Sequence, residues 1–568
     1  MIKRVYLGFT ILLILLYSYC TKQDENVRFE ALANHYIEGF LQRNPLWATQ
    51  LGDHRYDSVF GDYSIEAAEE LKNYSQLYLD SLNAIDQGKL SLTNRIDRMI
   101  LQNSLEYTIF EFDTLKEYEW NPLLYNTGQG IYGLLARDFA PLKQRLMSVN
   151  ARLKGIPAVI EQAKLNLKNP PKIHTETAIL QNKGNIGLIF GELDAFIENV
   201  PELKDTIIPN QKRATEALKD YGKWLEETLL PRSSGDFRLG NEKFRKKLYY
   251  TLQSDLTKED ILDRAMKDLK TTQDQMFETA LKLYKGSDTG NKKEVIKSVL
   301  NDLADEHPTN ENIVERAKGA LKSTTDFVRS QQLVTVPDKP LEIIVMPEFE
   351  RGVAVAYCDA PGPLEKEGKT LFSISPTPDN WTDARVRSFF REYNNYMLQD
   401  LCIHEAMPGH YLQLAHSNKF QAPTMIRAIF ASGTFIEGWA TYAEQLMVEQ
   451  GYGGPQVKMQ QLKMRLRLII NAIIDQKIHT AGMTEKEAMA LMTEEGFQEE
   501  GEAAGKWRRA CLTSTQLSTY YVGNSELNDL RTAYESKYGK NVDLKTMHDA
   551  ILAYGSPAAK FVKMHLGL

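Results

Sequence analysis

Hydrophobic and aromatic residues recur at intervals of three and four positions along most of this chain. The stretch from Ile65 to Leu82 shows the pattern, with polar residues between the apolar ones. This spacing places the apolar positions on one face of an α-helix. Helix-start signals recur as well, and Thr257-Lys258-Glu259-Asp260 has the form of a capping box with Asp in place of Glu. The pattern therefore predicts helix after helix from about residue 27 to residue 336.

A short region of the chain has a different pattern. Its three runs of apolar and β-branched residues are Leu341–Met346, Val353–Tyr357 and Thr370–Ile374, separated by turns rich in proline and glycine. Such runs are typical of short strands. After Trp381 the helical spacing returns and continues to the C-terminus. The sequence therefore predicts a mainly α fold, a large helical body with a small inserted β-sheet.

Composition narrows the class of protein. The chain has 568 residues, of which 43% are hydrophobic and 25% charged. These values are ordinary for a globular protein and argue against a disordered chain or a polytopic membrane protein. The formal net charge is −7 and the chain has no basic stripe. Nucleic acid is therefore not an expected partner, because phosphate binding needs clustered Lys and Arg.

The first twenty residues have the features of an export signal. Lys3 and Arg4 precede an uncharged run whose apolar centre is shorter than the ~20 residues that span a bilayer. The run ends at Cys20, as in a bacterial lipoprotein signal, although Tyr17 and Tyr19 depart from the usual leucine and small residue. We expect an exported lipoprotein of the bacterial cell envelope, in the periplasm or outer membrane, anchored by a lipid on Cys20. Ordinary secretion and an uncleaved anchor are the alternatives.

The string His404-Glu405-Ala406-Met407-Pro408-Gly409-His410 carries the chemistry. Imidazole is a common zinc ligand, and a glutamate beside it can take a proton from water. In the HExxH pattern the two histidines are four residues apart and share a helix face. Here they are six apart, which on a regular helix leaves them roughly 120° apart. Both can bind one ion only if the helix is interrupted, and Pro408-Gly409 is where we expect the break.

A second string, Ile436-Glu437-Gly438-Trp439-Ala440-Thr441-Tyr442-Ala443-Glu444, begins soon after His410. The separation allows a loop and a second, antiparallel helix, so Glu437 is a natural third ligand and water the fourth. Gly438 would let the two helices approach closely. Glu444, seven residues after Glu437, lies on the same helix face and could orient a ligand.

These strings resemble the DUF885 family, bacterial proteins named for their unknown function and grouped with gluzincin-type zinc metallopeptidases. HEAMPGH, the nearby Gln413, EGWATYAEQL and the later QLSTYYVG fit that pattern, which extends through most of the chain after residue 20. The resemblance implies one zinc per chain at His404, His410 and Glu437, with Glu405 as general base. It also implies a gluzincin-like fold with the small sheet beside the zinc-binding helix pair. Met407 stands where the family often has an aromatic residue, which should alter the shape of the pocket rather than the chemistry.

Further residues are candidates for the site. Gln413 and Glu444 are expected to support the ligands without binding the metal. Tyr520 matches the family tyrosine and is the candidate donor to the oxyanion, ahead of Tyr521, with Tyr357 and Tyr442 as competitors. Val353–Tyr357 could be an edge strand that holds an extended substrate through its backbone.

Arg508 and Arg509 are candidates to receive a substrate carboxylate, which a bidentate guanidinium suits. The alternative reading of this pair is a surface ion-pairing site. Tyr357, Tyr442 and Arg508 are thus the predicted substrate contacts.

The sequence predicts a signal peptide at residues 1–20 and a single DUF885-like domain at 21–568. Within that domain, residues 21–336 form a helical part, and 337–568 carry the sheet and the metal-site helices. We expect a cell-envelope zinc metallopeptidase that hydrolyses peptide bonds. Two alternatives stay open: a zinc amide hydrolase acting on a non-protein substrate, and a non-enzymatic peptide-binding lipoprotein. Glu405 argues against the last, because a structural metal site does not need an acid beside its ligand.

Overall fold

A computed structural model describes residues 24–339, 341–346, 355–365, 368–379 and 381–568. The predicted signal peptide, with Cys20, lies outside the described residues. The helices are α1 (Glu25–Arg43), α2 (Pro45–Leu51), α3 (Ile65–Asn83), α4 (Leu92–Phe110), α5 (Glu117–Trp120), α6 (Gly128–Leu135), α7 (Leu142–Asn166), α8 (Lys172–Gly187), α9 (Leu193–Glu198), α10 (Lys204–Trp224), α11 (Gly240–Leu252), α12 (Lys258–Leu281), α13 (Lys292–Ala304), α14 (Ile313–Ser330), α15 (Asp383–Glu392), α16 (Asn395–Glu405), α17 (His410–Ser417), α18 (Ile426–Ile429), α19 (Gly433–Glu449), α20 (Gly454–Ala481), α21 (Glu485–Ala490), α22 (Glu500–Leu512), α23 (Ser518–Tyr538), α24 (Leu544–Leu552) and α25 (Ala559–Leu566). Short 3₁₀ and π-helical segments extend or join several of them.

Local signals in the sequence explain where helices begin. Helix α3 covers the periodic stretch from Ile65 as predicted, and its N-cap Ser64 accepts a hydrogen bond from the Ala67 N–H. The capping box that begins α12 is confirmed, with Thr257 and Asp260 each bonding the backbone of the other. Both arrangements satisfy backbone donors that the first helical turn leaves free.

The small sheet has three described strands, β1 (Leu341–Val345), β2 (Ala356–Asp359) and β3 (Thr370–Ile374), in the order β1-β3-β2. Strand β1 runs parallel to β3, with Ile343 opposite Phe372, and β2 runs antiparallel to it, with Cys358 opposite the same residue. The mainly α fold with a small sheet is therefore confirmed. Strand β2, the second along the chain, begins later than the predicted Val353–Tyr357 run, part of which lies outside the described residues. It is an edge of the described sheet.

The hydrophobic core forms several clusters. One joins the sheet to α16 and α19 through residues such as Phe372, Ile403 and Trp439, all fully buried. Another surrounds the long helix α20 and includes residues of α12 and α23. A third packs α1 and α4 against the C-terminal α18 and α25. Buried Arg427 and Asp97 form an ion pair, with Nε and Oδ1 2.7 Å apart, across the third cluster. Residues before and after the sheet therefore contribute to a common core.

None of the helices in the described ranges combines the length and the apolar character that crossing a membrane requires.

Candidate metal centre and the cavity beside it

The helix that carries the first histidine ends where the spacing predicts a break. Helix α16 stops at Glu405 and α17 begins at His410, so the two histidines stand on separate helices. The Gly409 N–H donates to the Ile403 carbonyl (2.9 Å), and a Cβ at Gly409 would clash with the carbonyl oxygens of Ile403 and His404. This turn is also fixed from α19, because Trp439 Nε1 donates to the Pro408 carbonyl (2.8 Å). The predicted interruption is confirmed, and only glycine fits at position 409.

The interruption brings both histidines to Glu437 on α19. Glu437 Oε2 lies 3.6 Å from His404 Nε2 and 3.4 Å from His410 Nε2, and the two imidazole rings stand almost perpendicular. Burial raises the pKa of Glu437, but the two nearby histidines together lower it by more, so it lies well below its usual range. The ionised carboxylate is the form that binds a metal. These three residues form a group that could hold one metal ion.

The distances fit a zinc ion. Ligand atoms about 2.0–2.2 Å from a tetrahedral zinc lie roughly 3.4 Å from one another, close to the two separations at Glu437 Oε2. That oxygen is buried and has no hydrogen-bond partner within the usual limits among the described residues. A cation would satisfy it. Two imidazoles and one carboxylate are also a donor set that suits zinc.

A pair of buried carboxyl groups lies behind His404. Glu444 Oε1 is 2.6 Å from His404 Nδ1, the contact that the seven-residue spacing from Glu437 predicts. This contact leaves His404 Nε2 free to face the metal. Asp400, one turn before His404, is also buried, and burial together with the charge of Glu444 raises its pKa well above the usual range. Burial raises the pKa of Glu444 as well, although its hydrogen bond with His404 opposes that rise.

Helix α19 is positioned by a close contact with α23. A Cβ at Gly438 would clash with the backbone of Gly523, and a Cβ at Gly523 would clash with the Thr434 carbonyl. Gly438 was expected to bring the two metal-site helices together. In the structure Gly438 instead allows α19 to pack closely against α23. Helix α23 is the one that carries Tyr520.

Glu405 is not one of the three clustered ligands. Its Oε2 accepts a hydrogen bond from the Cys358 N–H on β2 (3.0 Å), which ties the last residue of α16 to the edge of the sheet. Glu405 lines a cavity together with His404 and Ala356. Its carboxylate is therefore fixed next to the clustered ligands and open to a bound molecule.

The cavity has a volume of about 320 Å³. It lies at the lower end of the ~300–1,000 Å³ typical of small-ligand pockets. Besides His404 and Glu405, its lining includes Thr441 and Glu444 from α19, and residues of α20, α22 and α23. The cavity therefore joins the metal-site helices α16 and α19 to the later helices α20, α22 and α23.

Tyr520 lines this cavity, whereas its neighbour Tyr521 does not. The Tyr520 hydroxyl accepts a hydrogen bond from Arg509 Nη2 (3.1 Å), and the Tyr521 hydroxyl donates to Asp268 on α12 (3.0 Å). The start of α23 is held by buried Asp475, whose carboxylate accepts the N–H of Ser518 (3.0 Å). The preference for Tyr520 over Tyr521 as candidate oxyanion donor therefore agrees with their positions, because only Tyr520 lines the cavity.

Two residues expected at the site lie in the core instead. Tyr442 is buried, and its hydroxyl lies 2.9 Å from His548 Nε2. On α19 it is one residue from Thr441 and two from Glu444, which both line the cavity, so the helical rotation turns Tyr442 away from it. Gln413 is also buried and donates to Ser556 Oγ (2.8 Å). Its described contact is therefore with the loop before α25 rather than with a ligand.

The two adjacent arginines face different surroundings. Arg509 lines the cavity, and Arg508 donates to Thr177 Oγ1 on α8 (2.8 Å). Consecutive residues on a helix are about 100° apart, so only one of the two can face the cavity. Tyr357 is paired with Ser373 in the sheet, and the β2 residue that lines the cavity is Ala356.

Several cavity residues were not identified from the sequence. Among them are Arg467 and Asn471 on α20, and Glu502 and Lys506 on α22. The two residues of each pair are four positions apart, which is compatible with a cavity-facing helix face but equally with a solvated surface. A single sequence therefore held no signal that could select them.

Comparison with known proteins places these features in a family. The model of the family described as "Bacterial protein of unknown function (DUF885)" matches residues 45–566. No curated protein matches the sequence significantly.

Two solved structures share the fold of this chain over most of its length. A protein from Shewanella oneidensis is 32% identical, with a TM-score of 0.82 over 95% of this chain and 100% of that one. A protein from Colwellia psychrerythraea is 17% identical, with a TM-score of 0.79 over 96% of this chain and 99% of that one. Each is described as a "putative lipoprotein", the first with unknown function.

An M32 carboxypeptidase from Deinococcus radiodurans R1 is 10% identical, over 93% of this chain and 95% of that one, and its TM-score of 0.40 is too low to support a conclusion. The family match covers most of the chain, and the 32% identical relative covers 95% of it. The chain belongs to the DUF885 family.

Proposed function

We propose that this protein is a zinc-dependent hydrolase of the bacterial cell envelope that cleaves peptide bonds. The observation that carries the proposal is the convergence of His404, His410 and Glu437, with Glu405 beside them and open to the same cavity. A site with three protein ligands leaves a coordination position for water or substrate, which is the arrangement of catalytic rather than structural zinc.

A bound zinc would supply a Lewis acid that makes water a stronger acid and polarises a carbonyl group. In the proposed reaction Glu405 takes a proton from the attacking water and returns it to the leaving amine. The hydrogen bond from the Cys358 N–H holds the carboxylate of Glu405 during both transfers.

Other cavity residues would stabilise the oxyanion and hold the substrate. Tyr520 donates its hydroxyl hydrogen to the developing oxyanion, since Arg509 already donates to the phenol oxygen. Ala356 lies on β2, at an edge of the described sheet, and lines the cavity. Its backbone could therefore hold an extended substrate as an added strand.

The location is proposed from the N-terminal sequence and the relatives. The charged start, the apolar run and Cys20 have the form of a lipoprotein signal. The two similar proteins of known structure are each described as a "putative lipoprotein". We place the lipid on Cys20 and the folded body outside the cytoplasm.

The substitution Glu405→Gln tests this proposal. It keeps the size of the side chain and an oxygen that accepts the Cys358 hydrogen bond, while removing the basic carboxylate. We expect zinc content and melting temperature close to those of the wild type, with turnover reduced by about 10²–10⁴-fold. Zinc by mass spectrometry and hydrolysis of a peptide library are measured on one sample.

The matched control is Glu449→Gln, at the exposed end of α19, which should keep both zinc and turnover. Loss of zinc in the Glu405→Gln protein would make Glu405 a ligand. Full turnover with zinc retained would remove Glu405 from the mechanism.

A further inference from the structure

Three cationic side chains line the cavity beside the metal centre, together with carboxyl groups of α16, α19 and α22. Arg467 reaches it from α20, and Lys506 and Arg509 reach it from α22. Arg467 is neutralised, because its Nη2 lies 3.2 Å from both Glu392 Oε1 and Glu502 Oε1. The other two cations have no such partner among the described residues.

Arg509 and Lys506 are therefore available to an anion. Arg509 Nη2 donates only to neutral oxygens, Gln516 Oε1 (2.8 Å) and the Tyr520 hydroxyl (3.1 Å). Lys506 forms no ion pair with a described carboxylate. Burial, and then the charges of Arg467 and Arg509, lower the pKa of Lys506 to about 7 although Glu502 opposes them. An anion bound between Lys506 and Arg509 would offset that repulsion.

A buried amide in the same cavity also has an unfilled hydrogen-bonding position. Asn471 is 4% exposed, and its Oδ1 has no partner within the usual limits among the described residues. It follows Arg467 by four residues on α20, so both lie on one face of that helix. A buried acceptor without a donor is costly, and a peptide N–H of a bound substrate would supply the donor.

We infer that Lys506 and Arg509 bind the free α-carboxylate at the C-terminus of a peptide substrate, with Asn471 accepting a hydrogen bond from its backbone. The inference rests on the proposed hydrolase function and specifies its substrate. The cavity is small for a long polypeptide and suits a short C-terminal fragment. The protein therefore acts from the carboxyl end of peptides.

The reaction is an ordinary hydrolysis near that end. The peptide C–N bond breaks, the hydroxyl of water adds to the acyl carbon, and the amine of the C-terminal fragment gains the proton. No oxidant or further reactant is needed. The anchored carboxylate fixes which peptide bond lies at Glu405, because α20 packs against both α16 and α22 and so sets the distance between Glu405 and the two cations.

Two peptide libraries test the inference. Both are random N-acetylated pentapeptides, one with free C-terminal carboxylates and one with C-terminal amides. We expect wild-type protein to cleave the free acids near their C-termini and the amides roughly 10- to 100-fold more slowly, the loss expected for a hydrogen-bonded charged group. Mass spectrometry of the products gives both the rate and the position of cleavage.

Lys506→Met should raise the KM for the acid library by about tenfold or more, with little change for the amide library. Lys506→Arg should restore much of the preference, because it keeps the charge. Lys486→Met, at an exposed site on α21, removes the same charge outside the cavity and should leave both KM values unchanged. Zinc content should be equal in all of these proteins.

Equilibrium binding separates this inference from the proposed function. The zinc-loaded Glu405→Gln protein should bind the acid library at least about tenfold more tightly than the amides, and adding Lys506→Met should abolish the difference. Such binding without any wild-type hydrolysis would contradict the proposed function and support the subsite. Equal cleavage of acids and amides, or an acid preference that survives Lys506→Met, would overturn the inference.

Discussion

At the scale of single residues, the candidate ligand His404 is oriented by another carboxylate. Glu444 Oε1 lies 2.6 Å from His404 Nδ1, and Asp400, whose pKa is raised by burial, lies one turn before His404. A carboxylate in this position fixes the imidazole tautomer and increases the basicity of the nitrogen that binds the metal. The strength of zinc binding should therefore depend on Glu444 although it is not itself a ligand.

Replacing Glu444 with Gln tests that dependence. The amide keeps the shape but removes the charge, so zinc affinity should fall by about 10- to 100-fold. The zinc affinity is measured by competition with a chelator of known affinity. The Glu449→Gln protein, altered on the same helix near the surface, serves as control. Unchanged affinity in the Glu444→Gln protein would mean that the contact does not support the ligand.

The pKa of Lys506 predicts how substrate binding depends on pH. Lys506 loses its charge as pH rises through about 7, whereas arginine side chains in general keep theirs. The charge of Arg467 is the main reason that the pKa of Glu502 is lowered, so Glu502 stays ionised. Binding of a C-terminal carboxylate should accordingly be strong below this pKa and weaken as pH rises through it.

The KM for free-acid peptides should therefore rise from about pH 7 upwards in the wild type. Bound substrate shifts the transition to higher pH, because an anion favours charged Lys506. In the Lys506→Arg protein the KM should stay nearly flat over the same range, since arginine does not lose its charge. Parallel pH profiles of the two proteins would contradict this role for Lys506.

Residue-level chemistry could be predicted only where several signals coincided. The histidines, Glu405 and Glu437 stand in two strings whose spacing is informative on its own. Arg508 and Arg509 could not be separated by sequence, because the rotation of α22 decides which one faces the cavity. Tyr442 sits inside the second string, yet packing against His548 turns it into the core.

At the scale of elements, the metal centre depends on one broken helix and on one close helix pair. The break between α16 and α17 could be predicted, because six-residue spacing on a regular helix cannot bring both histidines to one ion. The helix that packs against Gly438 could not be predicted. Glycine indicates a close approach, but the identity of the opposing helix is a property of tertiary packing.

Adding a methyl group at Gly438 should disturb this packing. The new Cβ would meet the backbone of Gly523, which cannot move aside as a flexible side chain can. We expect Gly438→Ala to destabilise the protein by about 1–3 kcal/mol, a typical cost of overpacking, and to weaken zinc binding through the displaced α19.

Gly433→Ala, on the same helix, provides the matched control, because nothing lies within 4 Å of the added Cβ. Its melting temperature should be unchanged or slightly higher, since alanine favours the helix. Equal melting temperatures for the two variants would contradict the close contact between α19 and α23.

At the scale of the whole molecule, the mainly helical body could be predicted because amphipathic spacing persists over many turns. The way in which its helices pack together could not be predicted, because each apolar helix face is compatible with several other helices. The packing of α1 and α4 against α18 and α25 joins residues more than 300 positions apart. No local signal in either segment indicates that contact.

The location of the protein can be checked in cells. The sequence before the folded body predicts that the mature protein is found in the membrane fraction with a lipid on Cys20. Cys20→Ala should leave the protein unprocessed or release it from membranes. Mass spectrometry of the mature N-terminus and fractionation measure the two effects. A wild-type protein found in the cytoplasm would contradict the proposed export.

The central claim is that His404, His410 and Glu437 hold a zinc ion that hydrolysis requires. The most direct test strips the purified protein with a chelator and returns zinc in known amounts while peptide hydrolysis is followed. We predict no activity without metal, and a rise in proportion to added zinc that ends at about one zinc per chain. Hydrolysis that continues in the stripped protein, or full zinc loading without hydrolysis of any peptide, would contradict the claim.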